Sequence, residues 1–388
     1  MKFSFAFFLL FINFIAGAQS LANENLNHLY NPTDDIDLDW RMVKEDGQMT
    51  IHYSLAITAK GSSPEMYQMQ WEERDSYSQR KGKVMRSDSL LLSPGSVKVG
   101  TFAVDLKDNP WMLLLTITKV TSSNTWSYPF LIEKNYPVNG FIKNGDQVVL
   151  DSYLEMGKAY SVQGPSAASN LSVFRYSQNF SSAFPPFSKN MAGADPVLLP
   201  DSSFSISNGQ RLSFSKEGLY LVQSDTASAE GFSFRVHTST YPRYTRIQDL
   251  VDPLVFVTTQ DEFTQLQQSN GDKVVFDKTV IGITRDRDRA KRFMKSYYTR
   301  VELANKYFTS FKEGWKTDQG MTFIIFGLPD EIRKTSQTEI WYYKDSRTKF
   351  VFIKMGSIYS PHYYTLMRDN RFTELWYNTI DLWRKSRF

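Results

Sequence analysis

Gly314-Trp315-Lys316-Thr317-Asp318-Gln319-Gly320 separates a long helical pattern from a short apolar run, and Gly327-Leu328-Pro329-Asp330-Glu331 closes that run on its far side. Upstream, Ala290, Phe293, Met294, Tyr297, Val301, Ala304, Phe308 and Phe311 recur at spacings of three and four. That period predicts one apolar stripe along a helix over 286–311. Thr284 or Asp286 can cap its start, and Gly314 falls just beyond its end, where a left-handed residue is favoured. Downstream, the apolar residues 321–326 read as a buried strand. Shorter helices are expected over 261–268 and 272–281, further strands over 339–343 and 350–354, and a last helix over 372–383 with Phe372, Leu375, Trp376, Thr379 and Leu382 at helical spacing. Residues 242–388 therefore read as an α+β unit.

The heptapeptide has the composition of a corner. Gly314 and Gly320 allow backbone geometry closed to other residues, Trp315 can cover a core edge, and Thr317 and Asp318 can accept backbone N–H bonds across the bend. Gly327 and Pro329 make a second sharp turn, and Asp330-Glu331 suit the first turn of a following helix.

These residues resemble the signature of the GWxTD-domain family of exported bacterial envelope proteins. The flanks 298–305, the 327–331 turn and Glu339-Ile340-Trp341-Tyr342-Tyr343 strengthen the resemblance, which covers roughly 284–384. The family commonly has two prolines after the glycine, where this chain has Leu328-Pro329. The resemblance implies a β-rich exported chain of the Bacteroidota type ending in this domain, and it brings no catalytic residues.

Toward the N-terminus the period changes to that of strands. Runs over 39–44, 49–57, 96–104, 111–120 and 126–132 are divided by Asp46-Gly47, Pro94-Gly95 and Asn109-Pro110, so residues 37–135 read as an immunoglobulin-like β-sandwich. A second such module is expected over 136–241, with strands near 147–154, 159–163, 171–176, 211–214, 219–224 and 232–237. Between them, 179–200 is a long Ser-, Pro- and Phe-rich loop in which Phe184-Pro185-Pro186-Phe187 reads as an aromatic plug over the open end of the sandwich, or a partner-binding segment.

The chain starts with Lys2, an apolar run over 3–15 and Ala16-Gly17-Ala18, the pattern of a signal peptide over 1–18 followed by a lead-in over 19–36. The expected address is the periplasm or outer membrane of a Gram-negative bacterium, with no membrane-spanning segment once the peptide is cleaved. The absence of cysteine in 388 residues excludes a cysteine-acylated lipoprotein, disulfides and a cysteine nucleophile. Lys plus Arg number 45 against 41 Asp plus Glu, interspersed, which argues against nucleic acid as a partner. An aromatic share of 15% suits half-buried strands.

A hydrolase needs paired carboxylates or a nucleophile with its base. Clustering makes Asp318, Asp330 and Glu331 the candidates, with His362 the one histidine of the last region. Four scattered histidines make a zinc site improbable, and Asp34-Asp35-Asp37-Asp39 lack the glycine and distal glutamate of a calcium loop. No metal or cofactor is expected. Ser89 and Thr226 sit in Asp-Ser-Leu and Asp-Thr-Ala triplets and are candidate O-glycosylation acceptors. The reading as a whole is a non-catalytic interaction or assembly factor of the envelope, with protein partners and carbohydrate as a further ligand class. Its alternative is an envelope hydrolase or carbohydrate-binding enzyme built on the clustered carboxylates.

Overall fold

The computed structural model describes residues 20–189 and 198–388; the expected signal peptide lies outside them. None of their helices is long and apolar enough to cross a membrane.

The first β region comprises β1 (Ile36–Glu45), β2 (Gln48–Ile57), β3 (Glu65–Arg74), β4 (Lys83–Leu92), β5 (Val97–Asp105), β6 (Trp111–Lys119) and β7 (Thr125–Ile132). Asp46 and Gly47, both at positive φ, close the β1–β2 hairpin. The strands form two antiparallel sheets, β1-β2-β5 and β4-β3-β6-β7. Trp71 on β3 stacks on Phe102 of β5 at 4.3 Å and meets Tyr53 of β2 at 5.8 Å, so the sheets pack through aromatic side chains. Strands β3 and β4 were not expected from the sequence.

The second β region holds β8 (Phe141–Asn144), β9 (Gln147–Val148), β10 (Tyr153–Glu155), β11 (Ala159–Gln163), β12 (Asn170–Tyr176), β13 (Ser202–Ser207), β14 (Arg211–Ser213), β15 (Gly218–Gln223) and β16 (Phe232–His237). Its sheets are β14-β11-β8-β9 and β10-β16-β15-β12-β13, and β10 runs parallel to β16. One apolar cluster runs without a break from Ile36 through Trp71 and Phe141 to Val236.

The last region carries α1 (Ile247–Val251), α2 (Gln260–Gln268), α3 (Lys273–Thr284), α4 (Arg287–Phe308) and α5 (Asp318–Phe326), then β17 (Glu331–Lys334), β18 (Thr338–Tyr343), β19 (Thr348–Lys354), β20 (Tyr364–Leu366) and α6 (Thr373–Arg384). Thr259 and Glu262 form a capping box on α2, and Asp272 and Asp286 cap α3 and α4 through their carboxylates. The antiparallel sheet β17-β18-β19-β20 packs with the helices around a core of Phe293, Tyr297, Ile324, Trp341, Phe350 and Trp383.

Two expectations fail here. Residues 321–326 belong to helix α5, not a strand: Thr317 caps it, accepting from Gly320 N at 2.9 Å, and Asp318 through Ile325 are all buried, which erases the helical period from the sequence. Asp330-Glu331 do not start a helix, because Glu331 opens β17. The Phe184–Phe187 segment also differs from the expected plug. Phe187 packs on Trp376 and Tyr377 of α6, and Asp369 N donates to Pro186 O at 2.9 Å.

The lead-in reaches the far end of the chain. Leu26 N donates to Ile332 O at 2.8 Å, Ile332 N donates to Asn25 Oδ1 at 3.0 Å, and Leu26 is buried in the C-terminal core. Residues 25–27 thus lie against the start of β17, and Tyr30 beyond them reaches Glu339 of β18, so that the lead-in forms a strap.

Candidate functional site

The signature folds as a corner held from four sides. Gly314 is not at positive φ, contrary to the left-handed cap expected; it is required by contact, since a Cβ there would lie 2.0 Å from Ala304 O. A Cβ on Gly320 would likewise lie 1.9 Å from Gly314 O. Fully buried Asn305 on α4 bridges the bend, accepting from Trp315 N at 3.0 Å and donating to Pro242 O at 3.0 Å. The Trp315 side chain is buried, with Nε1 donating to Tyr244 Oη at 3.0 Å and Phe256 against its ring. Thr317 Oγ1 donates to Gly314 O at 2.7 Å while capping α5.

Asp318 is buried and both of its oxygens are engaged. Its Oδ2 accepts from Leu366 N at 2.8 Å, and both oxygens accept from the guanidinium of Arg368, whose Nη2 also reaches Phe184 O. Beside it, Gln319 Nε2 donates to Glu339 Oε1 at 3.1 Å, and the buried Glu339 also accepts from Trp341 Nε1 and Tyr30 Oη and pairs with Lys334 at 2.8 Å. At the other end of α5, Gly327 has φ +84° and its carbonyl accepts from Tyr343 Oη at 2.8 Å; Pro329 beyond it is buried. Asp330 is exposed, with Oδ2 accepting from Lys344 N and its carbonyl accepting from Asn25 and Asn27. Glu331 pairs with Arg333 and Lys344.

Asp318 therefore stands apart from the other two candidates: it begins α5 and is buried, whereas Asp330 and Glu331 follow the far end of that helix and both meet Lys344. His362 lies elsewhere, its Nε2 3.1 Å from Tyr136 Oη. Desolvation, then Lys354 and Lys334, push its pKa down to about 3, so it is neutral at physiological pH. Ser89 on β4 and Thr226 after β15 are both exposed.

A second buried network joins the β region to the corner. Arg235 on β16 donates to Phe311 O at 2.8 Å, to Glu313 Oε1 at 2.9 Å and to His237 Nε2 at 3.1 Å. Burial alone would raise the Glu313 pKa, but Arg235 and Lys316 outweigh it and hold it at about 2. Burial, reinforced by Arg235, lowers His237 to about 3.

A cleft of about 310 Å³ lies elsewhere again, where the three regions meet. Its walls include Asp37, Asp39, Trp40 and Arg41 of β1, Tyr128 of β7, Asp151 before β10, Lys306 and Tyr307 of α4, and His362. Alternation along β1 sends Asp37, Asp39 and Arg41 to one side while Leu38 and Met42 are buried on the other. Asp37 pairs with Lys306, and Arg41 Nη2 donates to Asp151 O at 2.6 Å. Desolvation, with Asp37 adding to it, raises the Asp39 pKa to about 6, and desolvation raises Asp151 as well. Asp34 and Asp35 are turned to other tasks, Asp34 accepting from Trp126 Nε1 and Asp35 facing Lys119. Among the described residues no group of three or more Asp, Glu, His or Cys is placed to hold a metal ion.

Sequence reasoning singled out the heptapeptide, noted Asn305 and Glu339 only as flanking residues of the resemblance, and missed Arg368 and Arg235. Comparison with known proteins finds a family-model match that takes in the corner. Residues 218–385 match the family model of the GWxTD domain. The GWxTD match thus takes in β15 and β16 together with the whole helical region. No curated protein matches the chain. Among solved structures, a β-glucosidase from Kluyveromyces marxianus in complex with glucose is similar at 18% identity over 25% of this chain and 14% of its own, with a TM-score of 0.18. β-Glucosidase 3B from Thermotoga neapolitana matches at 14% identity over 25% and 16%, TM-score 0.18, and a calcium-binding mutant of Bacteroides uniformis β-glucuronidase 2 at 7% over 29% and 14%, TM-score 0.18. The chain thus spans no more than 16% of the length of these enzymes, and likeness at this level carries no argument about function.

Proposed function

We propose that this protein is a non-catalytic interaction or assembly factor of a Gram-negative cell envelope, exported by a signal peptide over residues 1–18. In this reading two immunoglobulin-like modules present surfaces to protein partners, and the GWxTD domain is the rigid unit on which they are mounted. The observation that supports it best is the state of Asp318. A buried carboxylate whose two oxygens are both engaged, by Leu366 N and by Arg368, serves the fold. The strand orders β1-β2-β5 and β4-β3-β6-β7 support the immunoglobulin-like reading of the first module, because successive strands cross between two sheets in the manner of such sandwiches.

Crosslinking mass spectrometry on the intact envelope, combined with N-terminal sequencing of the recovered chain, tests the proposal. The expected result is a chain beginning at Gln19 with reproducible crosslinks from the β regions to envelope proteins. Recovery in the cytosol with Met1 intact and no such crosslinks would overturn it.

A further inference from the structure

The positive charge of the chain is concentrated in one short stretch of the C-terminal region. Residues 285–295 carry six cations, Arg285, Arg287, Arg289, Lys291, Arg292 and Lys295, against two carboxylates, Asp286 and Asp288. Six less two is four, the same surplus that 45 Lys plus Arg hold over 41 Asp plus Glu in the whole chain. All other residues together are therefore balanced. The six side chains are all exposed, and none of them forms an ion pair among the described residues. Their neighbours differ, since Lys273 pairs with Asp277 and Lys385 with Asp381. Asp286 is occupied in capping α4, where it accepts from Arg289 N at 2.8 Å.

Arg287, Lys291 and Lys295 follow one another at i, i+4 along α4, turned away from the buried Ala290, Phe293 and Tyr297, and so form a ridge about 12 Å long. Like charges at that spacing repel, and an anionic partner would relieve the repulsion. Apolar groups are exposed beside the ridge. Ser386 Oγ donates to Arg289 O at 3.0 Å and Arg387 N to Leu382 O at 2.9 Å, which holds residues 382–388 near the first turns of α4. Phe388 stacks on Trp383 at 3.9 Å yet is 44% exposed, and Leu382 is 43% exposed. A soluble anion would answer the cations and leave these apolar groups in water. A nucleic-acid backbone would answer the cations but offers aliphatic Leu382 no apolar medium. An anionic bilayer supplies both, many dispersed phosphates and an apolar layer directly beneath them.

We propose that the α3–α4 turn, the cationic ridge of α4 and residues 382–388 form a tip that docks on the anionic phospholipid headgroups of a membrane surface. Leu382 and Phe388 enter the boundary between headgroups and acyl chains, and the contact is peripheral. The proposal stands on charge and exposure rather than on the interaction role, and either can fail without the other.

Vesicle flotation tests it, with the chain lacking residues 1–18, whose apolar run would itself enter a bilayer. The vesicles are phosphatidylcholine, either alone or with about one-third phosphatidylglycerol. Binding to the anionic vesicles at low salt and release by about 0.5 M sodium chloride are expected. The variant Lys291→Ala/Arg292→Ala/Lys295→Ala should bind about a hundredfold more weakly, roughly fivefold per cation, with its melting temperature not lowered. Phe388→Ala keeps every charge and should weaken binding about three- to tenfold. The control Lys60→Ala/Lys81→Ala/Lys83→Ala removes the same charge from exposed positions of the first β region and should leave binding within about twofold. Three results would overturn the proposal: equal recovery with both kinds of vesicle, a loss from the control variant as large as that from the ridge variant, or tighter binding to a short DNA duplex than to the anionic vesicles.

Discussion

Asp318 and Arg368 meet in the buried interior, 50 residues apart in the chain, with both carboxylate oxygens on one guanidinium. The contact ties the first turn of α5 to the segment that follows β20. It gives the aspartate of the signature a partner that the sequence does not announce.

Removing one member leaves the other charged and buried. Asp318→Ala and Arg368→Ala should each destabilise the protein by about 3–5 kcal/mol in chemical denaturation. The double variant Asp318→Leu/Arg368→Met should lose less than the sum, because replacing a buried pair with apolar groups of similar volume is often neutral. Strict additivity would falsify the coupling. If Asp318→Asn instead melts like wild type while partner binding vanishes, Asp318 belongs to a working surface.

Trp315 combines burial with one hydrogen bond, to Tyr244. Trp315→Ala should cost about 3–5 kcal/mol, the range for a large aromatic truncated in a core. Trp315→Phe keeps most of the apolar volume and should lose considerably less. Equal losses from the two would mean that the indole N–H rather than the packing holds the corner.

Glycines separate contact from conformation. Gly314→Ala and Gly320→Ala would place a methyl about 2 Å from a backbone carbonyl, so either should abolish cooperative unfolding of the C-terminal region as followed by circular dichroism. Gly282, within α3, has nothing within 4 Å of the same methyl, and Gly282→Ala should stabilise by roughly 0.5–1 kcal/mol. A tolerated Gly314→Ala would refute the close-packed corner.

His237 sets a direction for pH dependence. Its folded pKa of about 3 lies below the ordinary 6.5, so the unfolded chain takes up the proton first. The stability it contributes is complete above pH 6.5 and is lost as pH falls toward 3, on the order of 3 kcal/mol by pH 4. Protonation also forbids Nε2 from accepting the Arg235 bond. His237→Gln should reduce the slope of the stability profile between pH 6.5 and 4, leaving the share that the similarly buried His28 and His362 contribute; an unchanged slope would assign the loss to other groups.

The sequence was most legible where one face of an element is wet. Helix α4 keeps a polar side, so its period survives and its start at Asp286 was read correctly. Helix α5 is buried nearly all round and therefore mimics a strand. Strands β3 and β4 went unseen because Glu65–Arg74 mixes charges into both faces, with Glu72 and Arg74 buried and paired, and Lys83–Leu92 buries almost nothing. Of the signature, glycines, tryptophan and threonine were recognisable as a corner, whereas nothing in the flanks marked Asn305 and Glu339 as its partners, and Arg368 lies 50 residues from Asp318. The cleft was illegible for the same reason: Asp39, Asp151 and Lys306 become neighbours only through the fold.

The strap has a consequence for how the molecule is made. Asn25 and Asp330 are 305 residues apart and joined by a hydrogen bond, so the earliest part of the described chain must wait for one of the latest before it can dock. Synthesis from the N-terminus leaves Leu26 and Tyr30 without their partners until β17 and β18 exist. Closure across such a separation is a late and slow event. A nascent chain stalled before residue 331 would therefore display an open apolar end, which is the surface that a holding chaperone recognises.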